Sequence, residues 1–247
     1  MYNLAPLHVQ IRSFSHSVLL VALAFVIGAG LAIPGMLLVG LLGFSLSPPS
    51  LEVIVTNSIL QYVGFFVVVW GYIAYTDSET LIRVRRPTLR DLIWTVTGLV
   101  GVFAAVSVAS IVVSVIGADQ AQNSVVSLGQ ENPDLFLLMI PITLLFVAPG
   151  EELLFRGVVL GLFRRSTGTV PAIVISSVMF GVVHYIALAG SGKLTYIGVT
   201  ILLGLLLAGV YELTNNILVP IIVHGIYNAI LFASQWAIAV NDIPLPS

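Results

Sequence analysis

The chain has 247 residues, 58% of them hydrophobic and only 8% charged, whereas an ordinary soluble domain carries roughly 25% charged residues. A net charge of −2 and the lack of any basic stripe exclude a nucleic-acid-binding surface, and the lack of cysteine excludes disulfides, Cys–zinc sites and a thiol nucleophile. Charge-free stretches recur over the whole length, most as long as the ~20 apolar residues that cross a bilayer, so a cleaved signal peptide cannot explain them.

The first predicted span covers residues 18–42 and contains Pro34, with His8, Arg12 and His16 expected at the interface ahead of it. The second, 53–75, includes "FFVVVWGYIAY", a continuous apolar run unlike the alternation of a barrel strand; Trp70, Tyr72 and Tyr75 near its end form an aromatic belt. The third, 92–116, follows the basic segment "RVRRPTLR" and carries small residues suited to close packing. A polar segment without Lys or Arg, 118–134, leads to the remaining spans at 137–163, 169–188, 195–213 and 217–239. The expected fold is all-α, a polytopic bundle of about seven transmembrane helices, with six or eight as other divisions of the stretches around Pro34 and 135–163. Pro34, Pro141, Pro149 and Pro220 inside apolar segments predict kinks or broken helices. Residues 1–134 divide off as N-terminal helices and 135–247 as the core that holds the chemistry.

Lys and Arg near helix ends favour the cytoplasmic side. With the N-terminus inside, Arg12, Arg83, Arg85, Arg86, Arg90, Arg164 and Arg165 are cytoplasmic and only Lys193 is outside. The segment 118–134 is then external and Glu212 lies at the cytoplasmic boundary. The expected location is the cell membrane.

Polar side chains within these spans carry the functional message. Glu151 lies 13 residues from Arg164, and His184 lies 13 residues from Pro171, so each sits ~20 Å from its cytoplasmic helix end at 1.5 Å per residue. His224 and Asn228 come to comparable depth, ~12 and ~18 Å beyond Asn216. An ionised group at the bilayer centre costs ~2.5–3.5 kcal/mol or more, and its default reading is functional. Glu152 and Arg156 are i,i+4 and can pair on one helix face, while Glu151 points about 100° away. The competing picture is an amphipathic helix after Pro149 lying on the membrane surface, with the acids and Arg156 as an interfacial ion pair.

Two chemistries fit these residues. A carboxylate with a histidine can activate water while a histidine and an amide hold an oxyanion. Alternatively, Glu151, His184 and His224 supply the His₂Glu ligand set of catalytic zinc, although no "HExxH" helix is present.

"EELLFR" reads as EExxxR, "FGVVH" (Phe180, His184) as FxxxH and "HGIYN" (His224, Asn228) as HxxxN. In that order the three motifs resemble the signature of the CPBP, or Abi, family, which joins type II CAAX prenyl endopeptidases with bacteriocin-processing and bacteriocin-immunity proteins. The resemblance covers about residues 137–239. It implies an intramembrane endopeptidase in which Glu151 and His184 activate water, His224 and Asn228 stabilise the oxyanion, and Glu152 and Arg156 organise the site. It also implies a metal-independent glutamate mechanism without a cofactor, and a peptide or protein substrate, prenylated in one branch of the family. A non-catalytic immunity or binding protein and a small transporter or channel are the rival functions.

Overall fold

The computed structural model describes residues 5–241. Among them are seven helices long and apolar enough to cross a membrane: α1 (Leu7–Leu41), α2 (Leu51–Thr76), α3 (Leu89–Val115), α5 (Asp134–Thr167), α6 (Thr169–Ala187), α7 (Lys193–Thr214) and α8 (Leu218–Val240). A short helix, α4 (Ser124–Glu131), precedes α5. This is the all-α, polytopic architecture of an integral membrane protein.

Two differences from the expected elements concern polar residues. Helix α1 begins at Leu7, eleven residues ahead of the expected start, so His8, Arg12 and His16 lie in its first turns instead of preceding it. His16 is held there by a 3.1 Å hydrogen bond between its Nδ1 and the Tyr72 hydroxyl on α2. The segment 118–134 is not an open loop: strand β1 (Gln122–Asn123) pairs antiparallel with β2 (Leu188–Ala189), and the Asn123 side chain caps α4 by accepting from Val125 N–H at 2.9 Å. Such a side-chain oxygen replaces a partner that the first helical turn lacks.

Helices α1 and α2 form an antiparallel pair that crosses at Gly28 and Gly64, where a Cβ on Gly64 would collide with Gly28 backbone. Close packing of small residues is the main attraction available to helices already surrounded by apolar tails. We expect Gly64→Ala to lower stability by about 1–3 kcal/mol, whereas Gly71→Ala, on the same helix with open space at its Cβ, leaves it unchanged or slightly raised; thermal unfolding in one detergent compares them.

Helix α5 lies centrally against α2, α6 and α8. It is continuous from Asp134 to Thr167, yet Thr143–Val147 and Leu153–Val159 are wound as π-helix. Pro141 and Pro149, expected to interrupt the span, flank the first of these segments; each lacks an N–H, and the helix widens instead of breaking. Pro34 lies inside continuous α1.

The arginine-rich segment after α2 docks on the ends of α5 and α7. Arg83 pairs with Glu212 and donates to Asn215 Oδ1 at 2.6 Å, and Arg164 Nη1 reaches Glu212 Oε1 at 3.2 Å. Asn215 ends α7 in the left-handed conformation, φ 51°, which asparagine tolerates better than most residues. Ile217 N–H then donates to Arg83 carbonyl at 2.8 Å, so Arg83, Arg164 and the α7–α8 turn share one face of the bundle.

Candidate active site

The acids do not lie at a surface. Glu152 and Arg156 are fully buried, and Glu151 and His224 are 8% exposed. That removes the surface-lying helix as an account of this segment.

Glu152 is the junction of the site. Its Oε1 accepts from Arg156 Nη1 at 3.0 Å and from His224 Nδ1 at 2.8 Å. The first contact is the i,i+4 pair expected from sequence; the second reaches from α5 to α8. A carboxylate only accepts, so this contact places a hydrogen on His224 Nδ1. The opposite ring nitrogen, Nε2, faces Glu151 Oε2 at 3.8 Å. His224 therefore stands between the two acids, one on each side of its ring.

Glu151 points toward α2. Its Oε1 accepts a 2.8 Å hydrogen bond from Tyr62 hydroxyl. Sequence reading missed Tyr62 because its ring belongs to an apolar run and its hydroxyl is a single polar atom. A tyrosine at mid-span is itself the available signal, since a buried hydroxyl needs a partner.

His184 is on the last turn of α6, where its Nδ1 lies 2.7 Å from Phe180 carbonyl. Because a carbonyl only accepts, Nδ1 carries the hydrogen and Nε2 of the neutral ring presents a lone pair. His184 has no direct hydrogen bond to either acid among the described contacts. It joins the others through Phe180: that ring packs edge-on to His184 at 4.7 Å and to His224 at 6.1 Å between centroids. The Arg156 guanidinium lies 4.1 Å above the same ring, a favourable place for a cation against a π face. Phe180 thus sets the spacing between both imidazoles and the arginine.

Asn228 is one turn from His224 on α8. Its Nδ2 donates to Thr143 Oγ1 at 3.3 Å, and Thr143 is fully buried within the π-wound part of α5. Thr143 was not foreseen from sequence either. The amide is held in reach of the site by a weak contact that a stronger acceptor can replace.

As for a metal, no group of three or more His, Asp or Glu side chains among the described residues is gathered to share an ion. Glu151, His184 and His224, offered by the sequence as alternative zinc ligands, do not fit that role in this arrangement: His184 turns Nδ1 to its own helix and His224 gives Nδ1 to Glu152.

The arrangement therefore offers a half-buried imidazole lone pair, a carboxylate oriented by a tyrosine, a second imidazole backed by an ionised pair, and a side-chain amide. Residues 133–230, which hold all of these except Tyr62, match the family model described as type II CAAX prenyl endopeptidase Rce1-like. No curated protein and no solved structure matches the chain.

Proposed function

Residues 133–230 belong to the type II CAAX prenyl endopeptidase Rce1-like family, and from that premise we propose that the chain is an intramembrane endopeptidase using Glu151 and His184 to activate water. The observation that carries the reading is the Glu152-centred network, which ties Arg156 and His224 together beside Glu151 in a buried site.

In this mechanism water attacks the scissile carbonyl carbon while Glu151, with His184 Nε2 as the second acceptor, takes its proton. The carbonyl oxygen becomes an oxyanion. Asn228 Nδ2 leaves Thr143 to donate to it, and His224 in its imidazolium form donates from Nε2. Glu151 and Glu152 carry two negative charges against one positive charge on Arg156, so an imidazolium at His224 balances the cluster. Collapse of the intermediate breaks the C–N bond, and the proton taken from water passes to the departing amine. The products are a free carboxylate and an amine. Preorganised donors in a dry site are worth far more than the same donors in water.

A simple channel fits less well. Below the ion pair, Phe155, Val158, Val159 and Leu160 are at most 1% exposed and pack with Leu81 and Tyr211, which interrupts any polar path across the bundle. A prenylated peptide C-terminus is the substrate type named by the family, and it comes to this chain as part of the proposal.

The test is a peptidomic comparison of cells producing the wild-type chain or the Glu151→Gln variant, followed by cleavage of the identified peptide with purified protein. We expect a fragment that depends on Glu151. We also expect cleavage to persist in excess chelator and the purified protein to carry no stoichiometric zinc; chelator inhibition reversed by zinc would overturn the metal-independent part.

A further inference from the structure

The two ends of the site are built differently. Toward the face that carries Arg83 and Arg164, the site is closed by one continuous apolar cluster. Leu154, Val158, Val159 and Leu160 are 0% exposed, and Leu81, Tyr211 and Ile217 pack against this same cluster at 0–2%. Its far edge is stapled by Arg83 N–H donating to Tyr211 hydroxyl at 2.9 Å. A cluster packed this densely leaves no passage for water or an extended peptide.

Toward the opposite face the linings are polar and the exposure rises. Glu152 and Arg156 are 0% exposed, Glu151 and His224 8%, and His184 and Asn228 are half-buried. Beyond them lies Tyr196 on the first turn of α7, close enough to interact with both Glu151 and Asn123. The wall continues in hydrophilic contacts: Ser124 Oγ donates to Ala187 carbonyl at 2.9 Å and Ser127 Oγ to Gln122 Oε1 at 3.0 Å. The β1–β2 ladder fixes the segment just after His184 to this wall. The side chains that carry charge at this end are Asp119, Glu131, Asp134 and Lys193, against the cluster of arginines at the other.

From this asymmetry we infer that the site opens only on the face opposite the arginines, and that its substrates are peptides presented at the extracytoplasmic surface of the membrane. The arginine-rich face is cytoplasmic by the distribution of Lys and Arg. A segment entering past Ala187 and Tyr196 reaches Glu151 and His184 without crossing the apolar seal, whereas one entering from the cytoplasm has to unpack it. This assignment of substrate class rests on the peptidase reading; the direction of opening does not.

The cysteine-free chain permits a direct test with single cysteines and a membrane-impermeant thiol reagent on intact cells. Ala187→Cys, beside His184 on the exposed rim, and Tyr196→Cys, inside the polar entrance, are expected to be labelled from outside. Glu79→Cys, in the arginine-rich segment, is expected to label only after permeabilisation, and Val158→Cys, in the seal, under neither condition. Labelling of Tyr196→Cys only after permeabilisation, or of Glu79→Cys from outside, overturns the direction. Protection of Tyr196→Cys under both conditions overturns the opening, with Ala187→Cys reporting independently that the chain is inserted and folded. Labelling does not need turnover, so its failure is distinct from loss of the peptidase reading, which the Glu151→Gln comparison decides.

Discussion

Glu151→Gln is expected to lower cleavage by about 10²–10⁴, the usual contribution of a positioned acid–base group, with the thermal unfolding midpoint close to wild type. The amide keeps the shape of the side chain and can still accept from Tyr62, so little packing is disturbed. What it cannot do is take a proton from water. His184→Gln is expected to fall in the same range, and the double variant no further than about the worse single, because residues that act on one water act as a unit. Turnover of the identified peptide at saturating concentration is the measurement. Full activity in either single variant would remove the proposed pair from the chemistry.

The largest structural effect is expected at the buried ion pair. Removing one partner of such a pair strands a charge and costs about 3–5 kcal/mol, whereas removing both is much milder. Arg156→Met leaves Glu152 without its fully buried cation, and Glu152→Gln leaves Arg156 with only a 3.3 Å contact to Gly204 carbonyl as its remaining hydrogen bond. Both singles should unfold at clearly lower temperature than wild type in the same detergent, and the Glu152→Gln/Arg156→Met double variant should be more stable than either. His224 complicates only the activity, since its Nδ1 loses a charged acceptor in the Gln variant. Two singles no less stable than the double would mean that the pair sits in a wetter place than its burial indicates.

The bundle was legible because the bilayer imposes a simple rule. Runs such as 53–76 and 194–211 lack charge, and in hydrocarbon only a helix satisfies such a backbone within its own segment. The Glu152–Arg156 pair was legible because i,i+4 spacing is geometry. The start of α1 was not: Arg12 and the histidines break the apolar run, although a helix continues through polar residues at an interface without penalty. Nor was the bond from Glu152 to His224, which depends on how α5 and α8 are rotated against each other. Tyr62 belongs to α2, distant in sequence from every motif, and its hydroxyl is hidden from any hydropathy reading. The β1–β2 pairing joins segments more than sixty residues apart through only two residues each, too little for an alternation pattern to show.

The π-wound stretch at Leu153–Val159 carries a constraint of its own, on chain length more than on residue identity. A widened turn holds one residue more than an ordinary helix would use, and losing that residue would swing everything beyond it by about 100°. Arg164 would then leave Glu212, and the seal residues Leu160 and Phe163 would turn toward lipid, even with every motif letter intact. A one-residue deletion between Glu152 and Leu160 should therefore be more damaging than most substitutions at those same positions.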